Sequence, residues 1–571
     1  MTTLSGERED GSRPGRGSDD PNRAFDEIVE AYYRAWFRYH PEAAVEAGVM
    51  GYAGLLTPYG DDDIGALLSL HQALLGSIDE FNVSGLDADR RMDCRLLYGA
   101  AVLEMEALLN TDWRKRDPSR FIPVNAIYQL TVRPVENFAA SLRSRLQAIP
   151  EYLRGARQLI GECPENIPGL WLEAAVEEAR SGVEYLRSLP DHPKVTRLAK
   201  RLSGMEGLLN DAIESLLAYA DMLEQDLAAK CSGTFACGRQ RFDRLLHHRH
   251  ALDVDADQLY SFGRTLFEQT ERGLKDVCLE LSGSEDIAAL TDRIQSDHPA
   301  PKDLLASYRQ QMQAARDFVT QNNLLTMPKL EHLDVVETPV FLRHQIPFAA
   351  YMEPSPNDAG QQGYYYVTPA NNDDDLREHN YAGLMHTCVH EAWPGHHLQF
   401  VTANSNPVSR SLPRLLNPSA TLYEGWALYS EQLMQEQGFL NKPEQRFVLL
   451  KDRLWRSMRV MIDVEIQTRD VSLDDAAGRM VKWLGFTRSQ AMADLTWYSQ
   501  APTVPMGYAT GWALINASRD RLRAEEQDRF HLKGFHDQLL SAGSMALPLV
   551  IERIFGRDLW QRVRGMVFGR E

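Results

Sequence analysis

From about Ala24 onward, apolar residues return at spacings of three, four or seven, the signature of helices with one buried stripe. The clearest case is Leu198, Leu202, Met205, Leu209, Leu216, Leu223 and Leu227, which fall on one face of a single long helix. The segment "SLDDAAGRMVKWLGF" starts with Ser472 as an N-cap and Asp475 at the third helical position, close to a capping box. Prolines and glycines cluster between such segments, and no internal repeat is evident. The fold class read from this pattern is mainly α. One region departs from it. "IPFAAYMEPSPNDAGQQGYYYVTPANNDDD" (346–375) holds two short β-prone runs separated by turn residues, read as a hairpin or small sheet with Tyr364, Tyr365, Tyr366 and Val367 as the second strand. Such an element is either a plain surface hairpin or an edge strand able to take up a further extended segment by strand addition.

Composition narrows the class of function. With 571 residues, 44% of them hydrophobic and 25% charged, the chain has the make-up of an ordinary soluble globular protein. Its formal net charge of −19 disfavours nucleic acid and anionic membrane as partners. No run approaches the roughly 18 apolar residues of a membrane span. Residues 1–22 are polar, rich in Gly, Ser and charge, and lack the apolar stretch of a signal peptide; they read as a disordered tail before a body at 23–571. Six cysteines, with only Cys231 and Cys237 close in sequence, read as reduced thiols of a cytoplasmic protein.

The chemistry concentrates in "HTCVHEAWPGHHLQF", residues 386–400. His390 is followed at once by Glu391, as in a zinc-peptidase helix, but the position four after His390 is Pro394. A catalytic zinc requires three ligands of His, Glu, Asp or Cys type, an open position, and a carboxylate beside its water. His390 would supply a ligand and Glu391 the base. Pro394 removes a helical hydrogen bond and Gly395 loosens the backbone, which predicts a bulge or kink. If that kink absorbs two residues, His396 takes the place of the missing histidine. On an undistorted helix His397 would share the face of His390, but ~10 Å further along the axis. His396 is favoured, with His397 as the alternative; His386, four before His390, offers a different pairing. Downstream, "TLYEGWALYSEQL" places Glu424 and Glu431 seven apart on one helical face, the first as third ligand and the second as a brace for a ligand histidine. The histidines of "LLHHRH" (245–250) have no acids at metal spacing and read as a surface feature.

"HEAWPGHHLQ" together with "EGWALYSE" resembles the bacterial family catalogued as domain of unknown function (DUF) 885, regarded as related to zinc metallopeptidases. "GYYYVTPA" and "FHDQLLSAGSMALPLVIERI" agree, so the resemblance spans most of the chain after the tail. The wider likeness is to the helical gluzincins, among them thimet oligopeptidase, neurolysin, angiotensin-converting enzyme and the thermostable carboxypeptidases. It implies a mostly helical, two-lobed body with zinc in a deep channel. "PGHH" is similar to their His-Glu-x-Gly-His motif with two residues inserted before the glycine, a second reason to choose His396. Their third ligand, a glutamate on a later helix, matches Glu424. "GYATGW" (507–512) is similar to their tyrosine segment, which implies Tyr508 as oxyanion stabiliser, with His536 as a lesser candidate.

The function expected is therefore a zinc-dependent metallopeptidase acting on short peptides, of carboxypeptidase or oligopeptidase type. A metal-free binding protein on the same fold, or a zinc amidase or esterase for a small metabolite, stands as the alternative. Substrate preference and oligomeric state stay open.

Overall fold

Helices account for most of the computed structural model, which describes residues 20–198, 204–343, 346, 348–370 and 372–569. Most of the expected polar tail lies outside those residues. A helix opens at Pro21, where proline needs no N–H partner, and the Asp20 side chain accepts the Asn22 N–H at 3.0 Å. Ser472 caps Leu473–Leu484, its hydroxyl oxygen accepting the Asp475 N–H at 3.0 Å.

The leucine stripe does not lie on one long helix. Leu198 closes the short helix Pro193–Arg197, and Leu202 lies outside the described residues. A new helix, Met205–Asp221, opens after Gly204, whose φ of 78° suits a residue without a Cβ. That helix runs on into a wider turn, Met222–Leu227, and Leu209, Leu216, Leu223 and Leu227 are all buried in one core built from residues between 45 and 227. A second core, containing Val389, Leu422, Trp426 and Tyr429, surrounds the His-Glu segment. A third packs the long helices Ala256–Ser282 and Pro443–Thr468 against each other.

The region that broke the helical pattern supplies two of the three strands of a sheet in which the last strand in sequence is the central one. β2 (Ala349–Met352) and β3 (Gln362–Val367) form the antiparallel hairpin that the sequence predicts, and β1 (His332–Glu337) adds to β3 in parallel. Tyr364–Val367 is thus the central strand, paired on both sides, so an edge for strand addition belongs to β1 or β2. Alternation along β3 sends Tyr365 and Val367 into the core around the His-Glu segment. Tyr364 and Tyr366 stack at 6.3 Å on the other face, where the Tyr366 hydroxyl meets that of Tyr128.

All six cysteines are free thiols, Cys231 and Cys237 included. No helix among the described residues is long and apolar enough to cross a membrane.

Candidate metal centre

The helix Tyr381–Glu391 opens on Asn380, whose side-chain oxygen accepts the Gly383 N–H at 2.9 Å, and it ends at Glu391. The next helix begins at His396. Where the sequence predicts a kink, the chain stops and restarts. Pro394, which follows a cis peptide bond, has no N–H to continue the ladder. Gly395 N–H instead reaches back to the Val389 carbonyl at 3.1 Å, and Leu398 N–H to that of Ala392 at 3.2 Å. A side chain at 395 is excluded, because a Cβ there would overlap the His390 carbonyl oxygen. Trp426, on the helix Ala420–Glu436, donates its indole N–H to the Pro394 carbonyl at 2.8 Å and fixes the loop. The restart brings the His396 ring to 4.9 Å from the His390 ring, nearly perpendicular to it.

Glu424 meets this pair. One of its carboxylate oxygens, Oε2, lies 3.5 Å from His390 Nε2 and 3.3 Å from His396 Nε2. One ligand atom from each of the three residues falls within 4.8 Å of the others. Glu424 Oε2 is buried and, with both Nε2 atoms 3.3 Å or more away, makes no well-formed hydrogen bond among the described residues, which leaves it able to accept an ion. Two imidazole nitrogens and a carboxylate oxygen form a donor set that suits zinc with a position left open. Glu424, Glu391 and Tyr508 are not fully buried, the Glu424 side chain being 13% exposed.

Glu431, one of the two glutamates sharing a face of that helix, braces His390: its Oε1 lies 2.7 Å from His390 Nδ1. That contact leaves Nε2 of His390 for the cluster. His386 points elsewhere, donating from Nε2 to the Gln445 carbonyl at 2.8 Å, with Nδ1 3.7 Å from Glu431. His397 turns to the opposite side, with Nε2 2.9 Å from Glu331 and Nδ1 3.1 Å from the Tyr351 hydroxyl. Of the two adjacent histidines, only His396 faces Glu424.

Tyr508 is brought in by a helix crossing that glycines permit. Gly507 and Gly511, on the helix Gly507–Glu526, rest against Ala420, Thr421 and Gly425; a Cβ on Gly511 would overlap the Thr421 carbonyl oxygen, and one on Gly425 would strike Gly511. The Tyr508 ring lies 6.4 Å from that of His390, with the two planes 17° apart. His536 is away from the cluster: Nε2 meets the Tyr429 hydroxyl at 2.9 Å and Nδ1 the Leu324 carbonyl at 2.8 Å, so both nitrogens are already partnered in the core. No oxyanion role falls to it.

Burial dominates the electrostatics, and the cluster works against it. Burial disfavours ionised Glu424, yet the His396 and His390 rings more than compensate and hold its carboxyl well below the usual range. Burial likewise disfavours protonated His390, but Glu424 and Glu431 raise it to about 10. A cation binding there would compete with the proton that these two carboxylates favour on His390. Glu391 differs: burial pushes its carboxyl up, with the neighbouring imidazoles only partly opposing the shift. A carboxyl moved toward neutral pH is suited to take and return a proton. Burial, then the Glu424 charge, push the Tyr508 phenol well above its ordinary value, keeping it a donor.

Several neighbours carry no motif. Arg456 and Arg459, three apart on Pro443–Thr468, lie 6.0 and 4.6 Å from the Tyr508 ring centroid. Their spacing is visible in the sequence, but nothing local says which face of that helix meets the cluster. The Tyr351 ring lies parallel to that of His396 at 6.4 Å, from β2. "LLHHRH" is not a surface feature throughout. His247 is exposed, but His250 is fully buried between the hydroxyls of Ser419 (2.8 Å) and Thr503 (3.0 Å), because Leu245 and Leu246 turn that end of the helix Arg239–His250 into the core.

Two solved structures share this fold. One, from Shewanella oneidensis, is described as a presumed lipoprotein of unknown function; it is 22% identical, covers 93% of this chain and 99% of its own, and superimposes with a TM-score of 0.73. The other, a presumed lipoprotein from Colwellia psychrerythraea, is 16% identical over 96% of this chain and 99% of its own, with a TM-score of 0.76. Comparison with curated proteins gives no match. The family model described as "Bacterial protein of unknown function (DUF885)" matches residues 41–554, and the chain belongs to that family.

Proposed function

We propose that this protein is a zinc-dependent hydrolase that cleaves short peptides. The observation that carries the reading is the convergence of His390, His396 and Glu424 on one point, with Glu391 adjoining it. His390, His396 and Glu424 would hold the metal, and Glu431 would keep the His390 ring in the orientation that presents Nε2. A zinc ion bound there supplies a Lewis acid that polarises a scissile carbonyl and acidifies water. Glu391 takes the proton of the attacking water and returns it to the departing amine. Tyr508 donates its phenolic hydrogen bond to the oxygen on which charge develops. β2, which carries Tyr351 beside His396 and has no strand on its outer side among the described residues, suits an extended peptide backbone better than a compact ester.

The test combines metal analysis with a digest. Protein purified without chelators is expected to carry about one zinc per chain and to cleave members of a short-peptide library read by mass spectrometry. Glu391→Gln is expected to keep the metal and lower turnover by at least ~10²–10⁴-fold, the scale of losing a general base. Wild-type turnover in that variant sinks the mechanism. A protein that takes up no zinc is the metal-free binder instead, and cleavage confined to esters or small amides points to the other alternative.

A further inference from the structure

Beside the cluster lies a cavity of about 440 Å³ whose wall includes Arg241, Arg249, Pro418, Tyr423 and Pro502. Tyr423 is the residue before Glu424, and its ring lies 6.3 Å from that of His396, so it is the cavity's wall toward the cluster. A second cavity, of about 460 Å³, shares Arg241, Arg249 and Pro418 with the first. The two arginines thus stand where both spaces meet.

Their partners differ. Arg241 is matched by Glu106, 3.3 Å away and shared with Arg244. Arg249 has no carboxylate within ion-pairing distance among the described residues; its one described hydrogen bond is a weak one, to the Pro502 carbonyl at 3.3 Å. No Asp or Glu lines the first cavity, and the Glu104 carboxylate in the second is taken by His40 (2.7 Å), His71 (3.3 Å) and Trp36 (2.9 Å). An unpaired guanidinium in such a place is costly unless an anion completes it. In a chain with net charge −19, a cationic cavity free of carboxylates is set apart from the rest of the molecule. A guanidinium fork matches a carboxylate in two parallel hydrogen bonds.

Resting on the hydrolase reading above, we infer that Arg249 binds the free α-carboxylate of a peptide whose scissile bond lies at the His390, His396 and Glu424 cluster. The substrates are then short peptides with an unblocked carboxyl end, cleaved near that end, and Tyr423 packs between the anchor and the reacting bond. Arg249 is a specificity residue in this scheme; it takes no part in bond breaking.

The test uses the full chain loaded with zinc and N-blocked tri- and tetra-alanine, each as free acid and as carboxamide. Wild-type protein is expected to prefer the acid by roughly 10- to 100-fold in kcat/KM, the scale of charge-assisted hydrogen bonds. Arg249→Gln is expected to erase that ratio, mainly through KM, with zinc content unchanged, and Arg249→Lys to restore part of it. A merely structural role for Arg249 would not move the ratio. Equal wild-type rates on acid and amide overturn the inference while leaving the hydrolase reading intact. If neither peptide is cleaved, the hydrolase reading fails, and calorimetric binding of the acid and amide to the wild-type protein then decides the carboxylate site on its own. Equal or absent binding of both overturns it. If Arg249→Gln does not fold, the wild-type preference between acid and amide decides alone.

Discussion

At the scale of single residues, the adjacent imidazoles of His396 and His397 differ in what holds them. His396 turns Nε2 to Glu424, whereas His397 is fixed on both nitrogens, by Glu331 and by the Tyr351 hydroxyl. Their replacements are therefore expected to separate two properties. His396→Ala should release the zinc and leave the fold intact, since its Nδ1 holds no hydrogen-bond partner among the described residues that the change would strand. His397→Ala should keep the zinc and cost about 1–3 kcal/mol of stability, because it strands the buried Glu331 carboxylate with only Arg316 beside it. Metal per chain by atomic emission, together with thermal unfolding of each variant, reads both effects. Zinc retained in His396→Ala would remove that residue from the ligand set.

At the scale of elements, the close crossing of Ala420–Glu436 with Gly507–Glu526 sets where Tyr508 stands. Gly511→Ala is expected to push the helices apart, costing about 1–3 kcal/mol as overpacking does, and to lower turnover more than metal content. Gly478→Ala is the control: that glycine sits on an exposed face of a helix with nothing near its missing Cβ, so the change is expected to be neutral or stabilising by about 0.4–1 kcal/mol. Calorimetry and peptide turnover on both variants check this; equal behaviour would mean the crossing is not tight. The same elements show what a sequence reveals. Helical spacing and the Ser472 cap are local, and so are legible. Pro394 and Gly395 announce an interruption, but the register of the restart comes from Trp426, some thirty residues on, and from the tight space into which Gly395 folds. β1 escapes for the same reason, since its parallel pairing with β3 joins strands distant in sequence. Arg249 is legible as a residue but not as a cation without a carboxylate partner among the described residues, because that is a property of three dimensions.

At the scale of the molecule, the cluster ties together segments from residues 381 to 436, and a ligand for it acts on the folding equilibrium of the core around them. Zinc at a hundred times its dissociation constant is expected to stabilise the protein by about 2.7 kcal/mol. Scanning calorimetry with and without chelator should show the shift, and His396→Ala should show none. An unchanged midpoint in the wild-type protein would mean that no cation binds the native state.

The bond from Trp426 to the Pro394 carbonyl has a further meaning. It links the loop between the two histidines to the same helix that bears Glu424, so the three donors belong to one rigid frame rather than to three independently moving parts. The ordering of those side chains is then already borne by folding, and an incoming ion does not have to gather them. Its departure, in turn, waits on the frame itself parting, which makes the lifetime of the bound state a property of the helix pair and not of any one side chain.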